Sequence, residues 1–126
     1  MYVDPIDPFL KELQTFYQLG DNWDGEDARK IPHIAIKQAE QFLRDLLDSY
    51  PKLRPQDVAA SPLGDVVIYW GAGKNYKEVT FDSEGGGFFC FEENDQTNSI
   101  EDTKNTEGSF LENRWFGEVI KKLNEL

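Results

Sequence analysis

Cysteine, histidine and positive charge are all scarce in this chain. Its 126 residues include one cysteine and one histidine, and 13 lysines and arginines stand against 24 aspartates and glutamates. A single cysteine, Cys90, excludes an internal disulfide and leads us to expect a reducing, cytoplasmic compartment. The net charge of -11 repels nucleic-acid phosphates and anionic membranes, so direct binding to either is disfavoured.

Long apolar runs are missing as well. No stretch approaches the roughly 18 uninterrupted apolar residues of a membrane span. The acidic beginning of the chain, which carries Pro5 and Pro8, lacks the basic start and apolar run of a signal peptide. We therefore expect a soluble protein. With 39% hydrophobic and 13% aromatic residues, the chain can bury one core, and its length predicts a single α+β domain over residues 1–126.

The segment 57–92 organises the rest of the chain. In it, Val66, Ile68 and Trp70 alternate with Val67 and Tyr69, the period of two that points successive side chains to opposite faces of a strand. Glycine-rich turns separate the extended runs. The pattern predicts a four-stranded antiparallel meander, with strands near 57–61, 65–71, 75–82 and 87–92. The last strand is aromatic on both faces, which predicts an interior position, a covered second face or, at an edge, a partner site.

Helical spacing of apolar residues appears on both sides of this segment. It predicts two N-terminal helices over residues 8–19 and 32–50, and a C-terminal helix over 110–124. Asp7 is expected to cap the first helix, since its carboxylate can accept hydrogen bonds from the free N–H groups of the first turn. The predicted fold is the meander packed against these three helices.

Composition changes sharply between the last predicted strand and the last helix. In residues 93–108, Ile100 is the only apolar side chain, which predicts a flexible acidic loop or a surface excursion of the chain. From Glu92 to Glu107, six carboxylates stand against one lysine, a balance of -5. Nearly half of the net charge is therefore concentrated here.

Few groups could carry out catalysis. His33 and Cys90 are the usual nucleophile and base candidates. However, His33 is expected at the exposed start of a helix, and Cys90 is expected to be a small buried hydrophobe. The acidic loop 21–27 could hold a hard cation, but alignment with a calcium-binding loop puts Gly20 and Ile31 where ligands belong. We expect no catalytic residue, metal or cofactor.

Several short motifs occur in a recognisable order. They are Asn22-Trp23-Asp24-Gly25, then Ala28, Pro32, Ala35 and Ile36, then Val58, Ser61-Pro62, Gly64, Val67 and Trp70, and finally Val79, Phe81-Asp82 and Gly85. Over roughly residues 19 to 91 the chain resembles a group of small, largely uncharacterised bacterial proteins with an N-W-D-G loop, a helix and a β-meander. The resemblance implies a helix-plus-meander fold and a non-enzymatic partner role in toxin, phage or mobile-element settings. It implies no active site.

Three functional hypotheses follow from these observations. The first is an acidic binding protein that occupies a basic surface of a partner, such as an antitoxin, an immunity protein or an inhibitor of a nucleic-acid enzyme. The second is a homo-oligomeric assembly protein, joined through Phe88–Phe91 or the last helix. The third is a metal- or carboxylate-dependent enzyme using loop 21–27. For the first, the candidate partner contacts are Glu92, Glu93, Asp95, Glu101 and Asp102, with the aromatics Tyr69, Tyr76, Phe89 and Trp115.

Overall fold

A five-stranded antiparallel meander is the centre of the fold. The computed structural model describes residues 7–71, 73–102 and 108–125. The strands are β1 Asp57–Ala60, β2 Val66–Trp70, β3 Lys77–Phe81, β4 Gly87–Glu93 and β5 Gln96–Glu101, and they lie side by side in chain order. The predicted α+β class is confirmed. The four predicted strands are present, and the fifth is new.

The strand β5 replaces part of the predicted flexible loop. It pairs with β4 from Glu93↔Gln96 to Phe88↔Glu101. Asn94 and Asp95 join the two strands with φ angles of 55° and 59°, positive as both central residues of a type I′ turn must be. Asparagine and aspartate adopt this conformation more readily than most residues. The prediction of a flexible loop is therefore wrong over 93–102, and residues 103–107 lie outside the described residues.

The helices are α1 Pro8–Thr15, α2 His33–Ser49 and α3 Arg114–Leu123. The carboxylate of Asp7 accepts a hydrogen bond from the Phe9 N–H at 2.9 Å, so α1 begins at the predicted cap. It continues as a short 3₁₀ turn over Phe16–Gln18. The helix α3 begins four residues later than predicted, because the side chain of Asn113 accepts from the Phe116 N–H at 2.9 Å and caps it there.

One face of the sheet carries the core. The inward strand positions and the apolar stripes of all three helices form a single buried cluster. At its centre, the ring of Phe42 in α2 lies 5.3 to 5.8 Å from the rings of Phe81, Phe110, Trp115 and Phe116. Edge-to-face and tilted aromatic pairs at such distances stabilise beyond their buried area. We call this helix-covered side the covered face.

A buried carboxylate fixes the approach to α3. Asp45 is 8% exposed, and its Oδ2 accepts the backbone N–H of Phe110 at 2.6 Å. The amide of Gln41 donates to the other oxygen of Asp45 at 3.0 Å. A buried N–H without an acceptor would cost about 1 to 3 kcal/mol. Asp45 therefore places Phe110 against Phe42 and brings α3 onto the sheet.

Candidate functional site

The second face of the sheet is lined by half-buried and exposed side chains. Strand pairing aligns its side chains in rows across the sheet. One row is Ala59, Val67, Thr80, Phe88 and Glu101; the next is Asp57, Tyr69, Glu78, Cys90 and Ser99; at one end lie Tyr76, Glu92 and Thr97. We call this surface the open face.

The open face combines an apolar centre with negative charge. Val67, Tyr69 and Phe88 are half-buried near its middle, and the rings of Tyr69 and Tyr76 are 6.0 Å apart. The same surface carries four carboxylates, which are Asp57, Glu78, Glu92 and Glu101. None of its described positions is a lysine or an arginine. An apolar surface with charge of one sign favours a partner that carries the opposite charge.

A pocket of about 360 Å³ opens at the end of the open face. Its lining residues are Gly73, Tyr76, Glu78, Cys90, Phe91, Glu92 and Thr97. The hydroxyl of Thr80 donates to Oε2 of Glu78 at 2.9 Å. This bond orients the Glu78 carboxylate within the sheet, so one wall of the pocket is a held carboxylate and another is an aromatic ring.

Two groups in the pocket respond to the charge of Glu78. Burial raises the pKa of the Cys90 thiol, and the nearby Glu78 carboxylate raises it further. Burial also raises the pKa of Tyr76, with Glu78, Tyr69 and Cys90 adding to the shift. A thiol with a raised pKa is less often the reactive thiolate. Cys90 was expected to be fully buried, and it is half-buried instead. Its raised pKa makes it a poor nucleophile.

Four of the nine charged and aromatic residues that the sequence indicated as partner contacts lie on the open face. These are Tyr69, Tyr76, Glu92 and Glu101. Asp95 is exposed in the turn between β4 and β5. Glu93 points the other way, since its Oε2 pairs with Nζ of Lys122 in α3 at 2.8 Å. That hydrogen bond and the Glu93 charge help to raise the pKa of Lys122. Glu93 thus attaches β4 to a helix instead of facing the open side.

Three of the indicated residues are buried, so their side chains do not lie on a surface that a partner could contact in this structure. Trp115 is 4% exposed, and its indole N–H donates to the carbonyl of Ile100 at 2.8 Å. Phe89 is 0% exposed and Asp102 is 4% exposed. Phe89 lies on the covered face, and the Asp102 N–H donates to the Gly87 carbonyl at 2.8 Å. These residues belong to the core and its margin.

Sequence reasoning missed several open-face residues. Val67, Glu78 and Thr80 were not indicated as partner contacts, although each lies one position away from an inward-facing residue of its strand. Phe88 was indicated only as part of the Phe88–Phe91 segment of a possible homo-oligomer interface. The signal was present in the period of two. Once Val66, Val79 and Phe89 are assigned to the core, their neighbours must face the opposite side.

Polar side chains of the loop 21–27 form hydrogen bonds with backbone groups in and next to the loop. Asp24 Oδ1 accepts the N–H groups of Glu26 at 2.8 Å and Ala28 at 3.1 Å, and Asn22 Oδ1 accepts that of Asp27 at 2.8 Å. The indole of Trp23 donates to the Arg29 carbonyl at 2.9 Å. Among the described residues, no group of three or more His, Cys, Asp or Glu side chains could hold a metal ion. The loop is built as a hydrogen-bonded turn.

His33 and Cys90 lie on opposite sides of the sheet. His33 is exposed at the start of α2, as expected, and its ring packs edge-on against Tyr17 with centroids 5.0 Å apart. Cys90 lies in β4 on the open face. Because the sheet separates them, these two residues do not form the nucleophile and base pair that the sequence offered.

Comparisons with protein-family models, with curated proteins and with solved structures found no match to this chain. The resemblance to the N-W-D-G group therefore stays a prediction. Within the described ranges, no helix has the length and apolar character needed to cross a membrane.

Proposed function

We propose that this protein is a non-enzymatic binding protein whose open face occupies a basic surface of a partner protein. Antitoxins, immunity proteins and phage or mobile-element inhibitors of nucleic-acid enzymes act in this way. The partner would be a basic protein or a nucleic-acid-processing complex, and the single cysteine favours the cytoplasm as the place of encounter. One observation carries the proposal: the open face joins half-buried aromatic side chains to four carboxylates and no described cation.

The two components of this surface would have different roles. Aromatic side chains are enriched at the centres of protein interfaces, where they contribute most of the affinity. Tyr69 and Phe88 lie near the middle of the open face, and the Tyr76 ring at its end lies 6.0 Å from that of Tyr69. Charges at the margin, such as Glu92 and Glu101, accelerate the encounter and reject partners of the wrong sign. The covered face offers no such combination, since its apolar side chains are packed inside the protein.

The proposal is tested by capturing the partner from the native host and identifying it by mass spectrometry. Purified partner is then titrated with the wild type and with Glu92→Lys/Glu101→Lys. We expect this variant to weaken binding about tenfold, mostly through slower association, and we expect added salt to weaken wild-type binding. The matched control is Glu12→Lys/Glu112→Lys, which makes the same charge change at two exposed positions away from the open face. Equal loss in both variants, or affinity independent of salt, would refute the proposal.

Homo-oligomer formation is the second candidate. It is favoured by the half-buried Val67 and Phe88, which a second copy could cover. However, two open faces in contact would bring the carboxylates of both copies together, and like charges at an interface cost several kcal/mol. Light scattering at micromolar concentration separates the candidates: we expect a monomer mass, and a dimer mass would favour assembly.

A further inference from the structure

The pocket at the end of the open face has the chemistry of a cation site. Glu78 and Glu92 supply two carboxylates, Tyr76 supplies an aromatic ring, and the half-buried Cys90 supplies an apolar wall. The volume of about 360 Å³ leaves room for a long side chain together with water. A small anion or a purely apolar group would not match this lining.

The pocket is also prepared for positive charge. Holding one carboxylate in place lowers the entropy that is lost when a ligand binds, and the Thr80 hydroxyl holds Glu78 by a 2.9 Å hydrogen bond. The negative field of Glu78 already acts on Tyr76 and Cys90. The same carboxylate would attract a cation that enters the pocket.

We propose that this pocket binds the guanidinium group of one arginine side chain presented by the basic partner. The inference rests on the proposed function and names the group that the open face recognises. Arginine fits better than lysine because its planar guanidinium can stack on the Tyr76 ring while donating hydrogen bonds to Glu78 and Glu92. Its methylene stem can lie along Cys90 and Thr97.

The test uses three short peptides as probes: acetyl-Gly-Arg-Gly-amide and the same peptide with lysine or with citrulline. Citrulline keeps the shape of arginine and removes its charge. Binding to the full chain is followed by NMR. We expect the arginine peptide to shift the amide signals of Tyr76, Glu78, Cys90 and Glu92, the lysine peptide to bind several-fold more weakly, and citrulline to lower affinity at least tenfold.

Variants assign the effect to the pocket. Glu78→Gln, Glu92→Gln and Tyr76→Leu should each weaken the arginine peptide at least threefold. The pair Glu12→Gln/Glu112→Gln, exposed and away from the pocket, should leave its affinity unchanged. Circular dichroism and urea midpoints confirm that each variant is folded. Equal affinity for the arginine and citrulline peptides, or signal shifts away from the pocket, would overturn the inference.

The same variants with the purified partner separate the two proposals. Loss of partner binding in both Glu78→Gln and Glu92→Lys/Glu101→Lys supports both. If only Glu92→Lys/Glu101→Lys loses the partner, the open face keeps its function and the arginine pocket is refuted. If neither variant affects the partner while the arginine peptide still fills the pocket, the proposed function fails and so does the assignment of that arginine to a partner protein.

Discussion

The two faces of one sheet are made from adjacent residues and end in opposite environments. Phe89 on the covered face is 0% exposed, and its ring stacks on that of Phe91 with centroids 5.4 Å apart. Phe88, its neighbour in the chain, is only half-buried on the open face beside Thr80 and Glu101. Burial of apolar surface stabilises the fold only where the surface leaves water. The covered face therefore accounts for stability, and the apolar content of the open face is available for binding.

The sharpest way to break this comparison is to truncate both phenylalanines separately. Phe89→Ala should lower the free energy of unfolding by about 3 to 5 kcal/mol, because it removes a fully buried ring and leaves a cavity. Phe88→Ala should lower it by about 1 kcal/mol, since its ring is already partly hydrated in the folded state. Urea denaturation followed by circular dichroism measures both. Similar losses in the two variants would mean that the open face is part of the core.

A pair of glycines gives the next largest contrast. A Cβ atom at Gly87 would lie 2.9 Å from the Trp115 ring and 3.1 Å from the Phe81 ring, whereas at Gly117 in α3 it would meet nothing within 4 Å. We expect Gly87→Ala to destabilise the protein by about 1 to 3 kcal/mol through overpacking. We expect Gly117→Ala to stabilise it by about 0.5 to 1 kcal/mol, because alanine favours the helix. Thermal melting of both variants checks the two signs.

Asp45 tests how the covered face is completed. Asp45→Ala should destabilise by about 1 to 3 kcal/mol, because the buried N–H of Phe110 loses its acceptor. Gln41→Ala is the matched control, since it removes a bond to Asp45 and leaves those from Phe110 and Ser109 in place, and it should cost under about 1 kcal/mol. Urea midpoints give both values. Equal values would show that Asp45 does not place the approach to α3.

The smallest expected effect on stability concerns Asp65, which directly precedes β2. Burial raises the pKa of Asp65, and the nearby Asp82 carboxylate raises it further. The folded protein thus holds this proton more tightly than the unfolded chain does, so the stability that it contributes is present at low pH and is lost as pH rises through the folded pKa. Asparagine does not ionise, so Asp65→Asn should not lose this stability as the pH rises.

We expect Asp65→Asn to stabilise the protein at pH 7 by at most about 0.5 kcal/mol. The gain should disappear as the pH falls below about 4, where the carboxyl is protonated in both states. Urea midpoints of the wild type and the variant across this range measure it. A gain that stays constant with pH would exclude the electrostatic explanation.

Much of the covered face could be predicted from the sequence. The helical spacing of Ala39, Phe42 and Leu46 predicts α2, and all three residues are 0% exposed. A turn between the first two predicted strands, 57–61 and 65–71, was also expected, and Ser61 and Asp65 are joined there by a 2.8 Å backbone hydrogen bond. Local apolar periodicity and turn residues specify these features without reference to the rest of the chain.

The missed features depend on contacts distant in sequence. Apart from Ile100, the strand β5 has polar side chains, and it pairs with β4 through backbone groups, which leave little trace in its composition. Its signal was the Asn94-Asp95 pair, whose residue types suit a turn with positive φ. The open face could not be recognised as a unit, because Val67, Glu78 and Phe88 become neighbours only when the strand register is known.

The bond from the Trp115 indole to the Ile100 carbonyl and the ion pair between Lys122 and Glu93 fasten the β4–β5 hairpin to α3. An edge strand with so little apolar surface would otherwise fray on its own. Both contacts with α3 must break before β5 can separate from the sheet. The amides of β5 should therefore exchange with deuterium at rates close to those of α3. The helix α3 therefore determines how often the edge strand β5, and with it one side of the open face, opens to solvent.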